Sequence, residues 1–178
     1  VKNTINADMG FNRGKFLSRI PKQGNVLDFG CGSGRDTKIF LEMGYEVEAA
    51  DGCRELCDMA ARYTGIPVRQ MDFLELDERE KYDGIWACAS ILHLPYGELK
   101  TALAKMEAAL KENGVIYTSF KYGDFSGDRN GRFFTDMTED LFAEFIRRVK
   151  HLETEEQWIT CDVRPGRGQE KWLNLILR

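Results

Sequence analysis

The chain alternates short apolar runs with stretches of helical periodicity. Residues 26–31, reading VLDFGC, form an apolar run broken by an acid and then by glycines, and a periodic stretch from Arg35 to Met43 follows and stops at Gly44. This predicts strand, tight turn, helix and a glycine stop. The run YEVEAAD at 45–51 alternates and ends on Asp51, after which Cys53 to Tyr63 sets Leu56, Cys57, Met59 and Ala60 at helical spacing. Gly65 and Pro67 punctuate, and Val68 to Met71 predicts a third short strand closed by Asp72. Tyr82 to Ser90 is almost continuously apolar from Ile85 to Ala89, as a strand covered on both faces of a parallel sheet requires. His93-Leu94-Pro95 breaks it before a helix from about Glu98 to Lys111, whose buried stripe is Leu99, Ala102, Leu103, Met106 and Leu110. Asn113-Gly114 ends that helix, and Val115 to Phe120 is a β-branched strand.

The stretch from Lys121 to Thr135 differs in character, with Gly123, Gly127 and Gly131 among Asp124, Asp128, Arg129 and Arg132. It reads as a long loop, and loops of that length in compact domains tend to be functional or disordered. A helix from about Thr138 to Arg147 follows, N-capped by Thr138 and apolar at Leu141, Phe142 and Phe145. Runs at 156–164 and 171–177, joined by Pro165-Gly166-Arg167-Gly168, predict an antiparallel hairpin. Strand and helix alternate from the first run to Phe120, so the fold class is α/β, a doubly wound and mostly parallel sheet with this hairpin at its end.

Composition narrows the setting. With 178 residues, 43% hydrophobic and 30% charged, there is enough apolar material for one domain with a core, and disorder is excluded. The net charge of −4 gives no global attraction to nucleic acid or anionic lipid. Five cysteines, with no CxxC pairing or Cys/His cluster, argue against structural zinc and a disulfide framework. No metal is expected. No run reaches the roughly 18 apolar residues that span a bilayer, and Val1 to Gly10 lacks a signal-like core, so a cytoplasmic protein is predicted. A chain that begins at Val1 suggests processing or an excised fragment.

The sharpest chemical signal is Asp28-Phe29-Gly30-Cys31-Gly32-Ser33-Gly34. Glycines at alternating positions after a strand let the backbone approach a ligand closely. A tight βα turn with no ligand is the alternative. Arg35-Asp36 follows Gly34 where a P-loop has Lys-Ser/Thr, so nucleotide hydrolysis of that type is not supported. An acid two residues before the first glycine would repel a pyrophosphate but accept from an ammonium group, which suits an amino-acid-bearing ligand. Asp51 closes the second strand 23 residues after Asp28, where an acid takes the hydroxyls of a ribose, as in both NAD and S-adenosylmethionine enzymes. Asp72 ends the third strand and could accept from an adenine amino group, with Phe73 beside the ring; a turn aspartate is the other reading.

At these residues the chain resembles the class I S-adenosylmethionine-dependent methyltransferases, through VLDFGCGSGRD (26–36), EAAD (48–51), Met71-Asp72-Phe73, YDGIWACASILHLP (82–95) and ALKENGVIYTSF (109–120). It looks closest to the small stand-alone branch of tellurite-resistance-type enzymes, which share an SFK-G stretch and a tryptophan-bearing last strand like Glu170 to Asn174. The resemblance implies a Rossmann-like, seven-stranded sheet and S-adenosylmethionine as cofactor. It implies Asp28, Gly30, Gly32 and Gly34 around the methionine part and Asp51 on the ribose. Gly52 and Cys53 are implied beside the adenine together with Asp72 and Phe73, and Cys88, Ala89 and His93 near the sulfonium end and substrate entrance. About 25 residues precede the first core strand, and Asn6 to Ile20 is expected to supply one covering helix with Phe11, Phe16 and Leu17 inward and Arg13 free to meet an anion.

Methyl transfer from a sulfonium needs alignment and exclusion of water rather than a dedicated nucleophile. His93 is the candidate catalytic group, able to orient or deprotonate an acceptor, with a pocket-wall role as the alternative. Lys121, Arg129 and Arg132 follow the fifth strand and could hold a carboxylate or oxyanion substrate by forked hydrogen bonds; a solvated loop tied to its own aspartates is the bland reading. Arg164 and Arg167 extend that patch or face water. The post-strand-four sequence ACAS lacks the pattern of base-flipping amino-methylating enzymes, so a small-molecule substrate is favoured over nucleic acid, in a monomer or homodimer. An NAD-dependent oxidoreductase and a non-catalytic nucleotide-binding protein are the alternative functions.

Overall fold

The structure is a computed structural model that describes residues 9–162, 164, 166–167 and 169–178. The expected run of strands and helices is present. Helix α1 (Gly10–Leu17) precedes β1 (Asn25–Phe29), α2 (Arg35–Glu42), β2 (Glu46–Asp51), α3 (Arg54–Thr64) and β3 (Val68–Gln70). Then come β4 (Tyr82–Ala87), α4 (Tyr96–Ala109) and a long β5 (Leu110–Lys121), followed by β6 (Ser126–Arg129), β7 (Arg132–Thr135), α5 (Glu139–Ile146), β8 (Thr154–Cys161) and β9 (Lys171–Leu177). Seven strands form one sheet in the order β3-β2-β1-β4-β5-β9-β8. β1 to β5 pair in parallel, whereas β9 runs antiparallel to β5 and β8 antiparallel to β9. Of the expected connection between the last two strands, Pro165 and Gly168 lie outside the described residues, as do Asn6 to Asp8 of the expected first helix.

Side chains alternate across the sheet, and the two faces carry separate cores. Leu27, Ile85 and Ile116 pack with α4 and α5 through Leu99, Leu103 and Phe142. Their neighbours Val26, Trp86 and Tyr117 pack with Phe16 and Leu17 of α1 and Phe40 of α2. Continuous apolar runs in β1, β4 and β5 are thereby explained by burial on both sides. Thr138 caps α5 as expected, accepting from the amide of Leu141 at 3.2 Å.

Two expectations need correction. The stretch from Lys121 to Thr135 is no open loop: β6 and β7 form a hairpin, paired from Ser126↔Thr135 to Arg129↔Arg132. Its two-residue turn, Asn130-Gly131, has φ of 51° and 84°, the left-handed pair that a type I′ turn requires. In α1, Phe16 and Leu17 are buried but Phe11 is 67% exposed, set edge-on to Trp158 at 6.4 Å between centroids.

Because β1, β2, β4 and β5 are parallel, their carboxyl ends fall on one edge. Antiparallel β9 brings its first residues to that same edge, where Lys121 pairs with Trp172. Asp28, Asp51, Lys121 and Trp172 thus collect around one opening.

Candidate functional site

A cavity of about 650 Å³ opens at this edge. Its floor is the turn after β1. Gly30, Gly32 and Gly34 all have positive φ, of 83°, 56° and 94°. Gly32 has no atom within 4 Å of where a Cβ would stand, so its missing side chain leaves open cavity over the backbone. Gly34 points the other way: it is the left-handed N-cap of α2, and a Cβ there would lie 2.9 Å from Thr64.

Two carboxylates flank the glycine turn. Asp51 is intermediate in burial and is held by two backbone amides, Gly32 N to Oδ2 and Cys53 N to Oδ1, each at 2.9 Å. Each oxygen keeps a lone pair for a ligand hydroxyl. Asp28 is buried, and its Oδ2 accepts from the Thr37 hydroxyl at 2.6 Å. Its Oδ1 has no partner among the described residues. Burial and then the nearby charge of Asp36 push the Asp28 carboxyl up to about 7, with Thr37 and Arg35 opposing. A cation placed here would restore the carboxylate.

Behind the turn stands a group that the sequence reading used only to exclude a P-loop. Asp36 accepts from Arg35 Nη2 at 2.7 Å, Arg13 Nη1 at 2.8 Å and Trp86 Nε1 at 2.9 Å. Burial raises its pKa, but the hydrogen bonds and charge of Arg35, with Trp86 and Arg13, outweigh that and hold it below the usual carboxylate range. Arg13 is therefore committed to Asp36 rather than free, while Arg35 lines the cavity.

The wall beyond β4 holds Cys88, Ala89 and His93. Ala89 has φ of 50°, and its amide donates to Ser119 Oγ at 2.8 Å. Burial pushes the Cys88 thiol up to about 12, so it remains a thiol and is no nucleophile. His93 lies in a single 3-10 turn, Ile91–His93, with Nδ1 2.9 Å from the Phe133 carbonyl of β7 and its ring edge-on to Phe134 at 4.6 Å. A carbonyl only accepts, so Nδ1 carries the proton and Nε2 is left as an acceptor. Burial lowers the imidazole pKa, the Phe133 carbonyl raises it, and the charges of Arg132 and Lys121 lower it further; the net shift is downward.

The remaining expected residues divide. Phe73, Lys121 and Arg132 line the cavity; Gly34, Gly52, Cys53, Asp72, Arg13 and Arg129 do not. The exposed Asp72 opens a 3-10 turn, its amide donating to Glu75 Oε1 at 2.8 Å. Arg129 makes two bonds to Asp136, at 2.9 and 2.5 Å, and stacks on Phe125 at 4.3 Å. This is the intra-loop pairing weighed as the bland reading.

Opposite the glycine turn is a polar network that sequence reasoning missed. Tyr117 donates to Asn174 Oδ1 at 2.6 Å, Asn12 Nδ2 reaches the same oxygen at 3.3 Å, and Trp158 Nε1 donates to Asn12 Oδ1 at 2.9 Å. Asn174, an amide inside the apolar strand KWLNLIL, was the visible signal for it.

This geometry is shared with known proteins. The methyltransferase domain family matches residues 26–114. An uncharacterized methyltransferase of Staphylococcus carnosus is 24% identical over 155 residues, covering 82% of this chain and 75% of that protein. The crystal structure of Burkholderia thailandensis 1,6-didemethyltoxoflavin-N1-methyltransferase, with bound 1,6-didemethyltoxoflavin and S-adenosylhomocysteine, superposes with a TM-score of 0.79 at 28% identity over 96% of this chain and 77% of that one. A TehB-like S-adenosylmethionine-dependent methyltransferase of Corynebacterium glutamicum shares the fold, with a TM-score of 0.72 at 21% identity over 98% and 90% of the two chains. Among the described residues no helix is long and apolar enough to cross a membrane.

Proposed function

We propose, from the premise that the chain belongs to the class I S-adenosylmethionine-dependent methyltransferases, that residues 1–178 act as one methyltransferase domain on a small-molecule acceptor held beside His93. The observation that carries the placement of the cofactor is the pair of carboxylates around the glycine turn. Asp28, whose Oδ2 is taken by Thr37, lines the cavity with its other oxygen left for an ammonium group, and Asp51 is fixed by the amides of Gly32 and Cys53 with lone pairs left for a ribose diol. Arg35, anchored by Asp36, brings positive charge to the same wall and suits a carboxylate. Phe73 lines the cavity beside the turn and gives a face for an adenine.

When bound, S-adenosylmethionine supplies a methyl group on a positively charged sulfur. The protein's own work is placement. The Gly32 backbone lets the ligand sit against the turn, Ala89 and Cys88 close the wall without reacting, and His93 Nε2 can accept an acceptor's proton. The small size of the acceptor is supported by the 650 Å³ volume of the cavity and by the 1,6-didemethyltoxoflavin bound to the Burkholderia relative. Five unpaired cysteines fit a reducing cytoplasm.

The test is calorimetry with S-adenosylmethionine, S-adenosylhomocysteine and NAD on the wild type and on Asp51→Ala. The first two are expected to bind and to weaken at least about 10-fold in the variant, as loss of hydrogen bonds to a charged group implies. Preferential binding of NAD would overturn the cofactor assignment, and unchanged affinity in Asp51→Ala would overturn the ribose site. A methyl-transfer screen over thiols, phenols, ring N–H compounds and amines then identifies the acceptor.

A further inference from the structure

The charge on the acceptor side of the cavity is lopsided. Lys121, at the end of β5, lies over two aromatic rings, 5.4 Å from the Phe134 centroid and 5.9 Å from that of Trp172. It makes no ion pair with any described carboxylate, and neither does Arg132 of the β6–β7 hairpin. The acids that share their cavity are engaged elsewhere. Asp162 takes Arg164 at 2.6 Å and the Trp172 indole N–H at 3.0 Å; Asp36 takes Arg35, Arg13 and Trp86. Asp28 and Asp51 stand at the glycine turn.

We propose that the acceptor is a small planar molecule with an acidic O–H, S–H or ring N–H, whose proton passes to His93 Nε2 and whose resulting anion is held by Lys121 and Arg132. The inference rests on the methyltransferase reading above and specifies its acceptor class. Its parts come from separate observations. The Phe133 carbonyl fixes the His93 tautomer, so the nitrogen left over can only accept from an uncharged imidazole. Phe134 and Trp172 present flat apolar surface beside Lys121. The unpaired cations favour an anion and repel an alkylammonium. Burial together with Arg132 and Lys121 also keeps His93 in its neutral form, the form that can take a proton.

In the transfer, the acceptor heteroatom's electron pair forms the new bond to the methyl carbon while the carbon–sulfur bond of the donor breaks, sulfur keeping that pair. The acceptor's proton goes to Nε2 and then to water. A protonated amine meets two obstacles here: its lone pair is occupied, and its charge opposes those of Lys121 and Arg132.

Two matched probes test this without turnover. 4-Nitrophenol changes absorbance on ionisation, and benzylamine is a cation of similar size. With the wild-type chain at neutral pH, bound 4-nitrophenol is expected to show the phenolate spectrum in larger fraction than free 4-nitrophenol at the same pH, and to bind at least 10-fold more tightly than benzylamine. Lys121→Met and Arg132→Gln should each return the bound spectrum toward the neutral phenol, with unchanged melting temperature and unchanged S-adenosylhomocysteine affinity. Equal affinity for the two probes, no binding of either, or a phenolate fraction indifferent to both substitutions overturns the proposal. S-adenosylhomocysteine binding, measured on the same samples, reports separately on the underlying cofactor assignment, so the two can fail independently.

Discussion

A β-carbon added to Gly30 would lie 2.4 Å from the β-carbon of Ser90. Ser90 cannot retreat, because its hydroxyl is bonded to the Phe29 carbonyl at 2.9 Å and the residue is buried. Gly30 also has φ of 83°, so a side chain meets strain and collision together. Gly30→Ala is expected to cost about 3 kcal/mol or more, lowering the melting temperature by roughly 6–12 °C. Gly32 shares the positive φ but has open space where its Cβ would stand. Gly32→Ala should therefore cost only about 1 kcal/mol of stability, from backbone strain alone, while its methyl enters the cavity and weakens S-adenosylhomocysteine binding 10-fold or more. Thermal melts and calorimetry on the two variants separate the effects; equal stability losses would contradict the packing.

Asp28 supplies a pH prediction whose sign is set by burial. Its folded-state pKa of about 7 stands above the ordinary 3.8, so the unfolded chain loses this proton first as pH rises. The stabilising contribution of the neutral carboxyl is complete below pH 3.8, declines between there and about 7, and is gone above the folded pKa. Asp28→Asn keeps the shape and an oxygen for Thr37 without the charge. Above pH 7 it should raise stability by roughly 1–2 kcal/mol, yet lose cofactor affinity about 10-fold or more, because the ammonium loses its counter-charge. In the wild type, affinity for S-adenosylmethionine should fall as pH drops below about 7 and Asp28 takes up a proton. Calorimetry from pH 6 to 8.5 reads this, and a flat profile shared by wild type and variant would exclude Asp28 as the ammonium site.

What the sequence made legible is what strand periodicity and strand ends encode. Asp28, Asp51 and Lys121 are visible because an apolar run stops at each, and parallel pairing carries them to one edge. Asp72 looked equivalent, but β3 spans only Val68–Gln70 and Asp72 instead starts a turn with Glu75. The β6–β7 hairpin was hidden because β6 is polar and each strand is only four residues long, although Asn130-Gly131 was a readable turn signal. Of the Asn12–Tyr117–Asn174 network only Asn174 stood out, as an amide inside an apolar strand; its partners were not legible, since Asn12 lies 105 and 162 residues from Tyr117 and Asn174 and meets them only through packing.

The docking of α1 depends on Arg13 more than its surface pattern suggests. Its guanidinium reaches Asp36 at 2.8 Å, and the two side chains are 12% and 7% exposed. Arg13→Ala removes one donor from a carboxylate that keeps Arg35 and Trp86, so the charge is not abandoned, and the expected loss is about 1–2 kcal/mol. The more telling consequence is local. Met9 at its N-cap and Phe11 and Asn12 in the helix line the cavity, so loosening it should speed amide hydrogen exchange across residues 10–17 and weaken small-molecule binding while leaving exchange in β1 and β4 unchanged. Uniform acceleration across the sheet would mean that the pair holds the whole fold rather than the helix.

Arg129 carries the last prediction, because it reaches the chemistry only through the hairpin. Its two bonds to Asp136 tie β6 to the residue after β7, and Asp136 is 3% exposed. Between them β7 presents the Phe133 carbonyl that fixes His93. Arg129→Ala leaves a buried carboxylate without its partner, at a cost of about 2 kcal/mol, since Arg129 itself is one-third exposed and shares its charge with water. Lysine restores a charge but not the double hydrogen bond, so Arg129→Lys should recover only part of the loss. If the hairpin positions His93, kcat falls several-fold in the alanine variant, partly recovers in the lysine variant, and S-adenosylhomocysteine affinity stays at the wild-type value, because the cofactor-side carboxylates lie on β1 and β2. A parallel fall in cofactor affinity would instead place the hairpin's role in holding the entire cavity together.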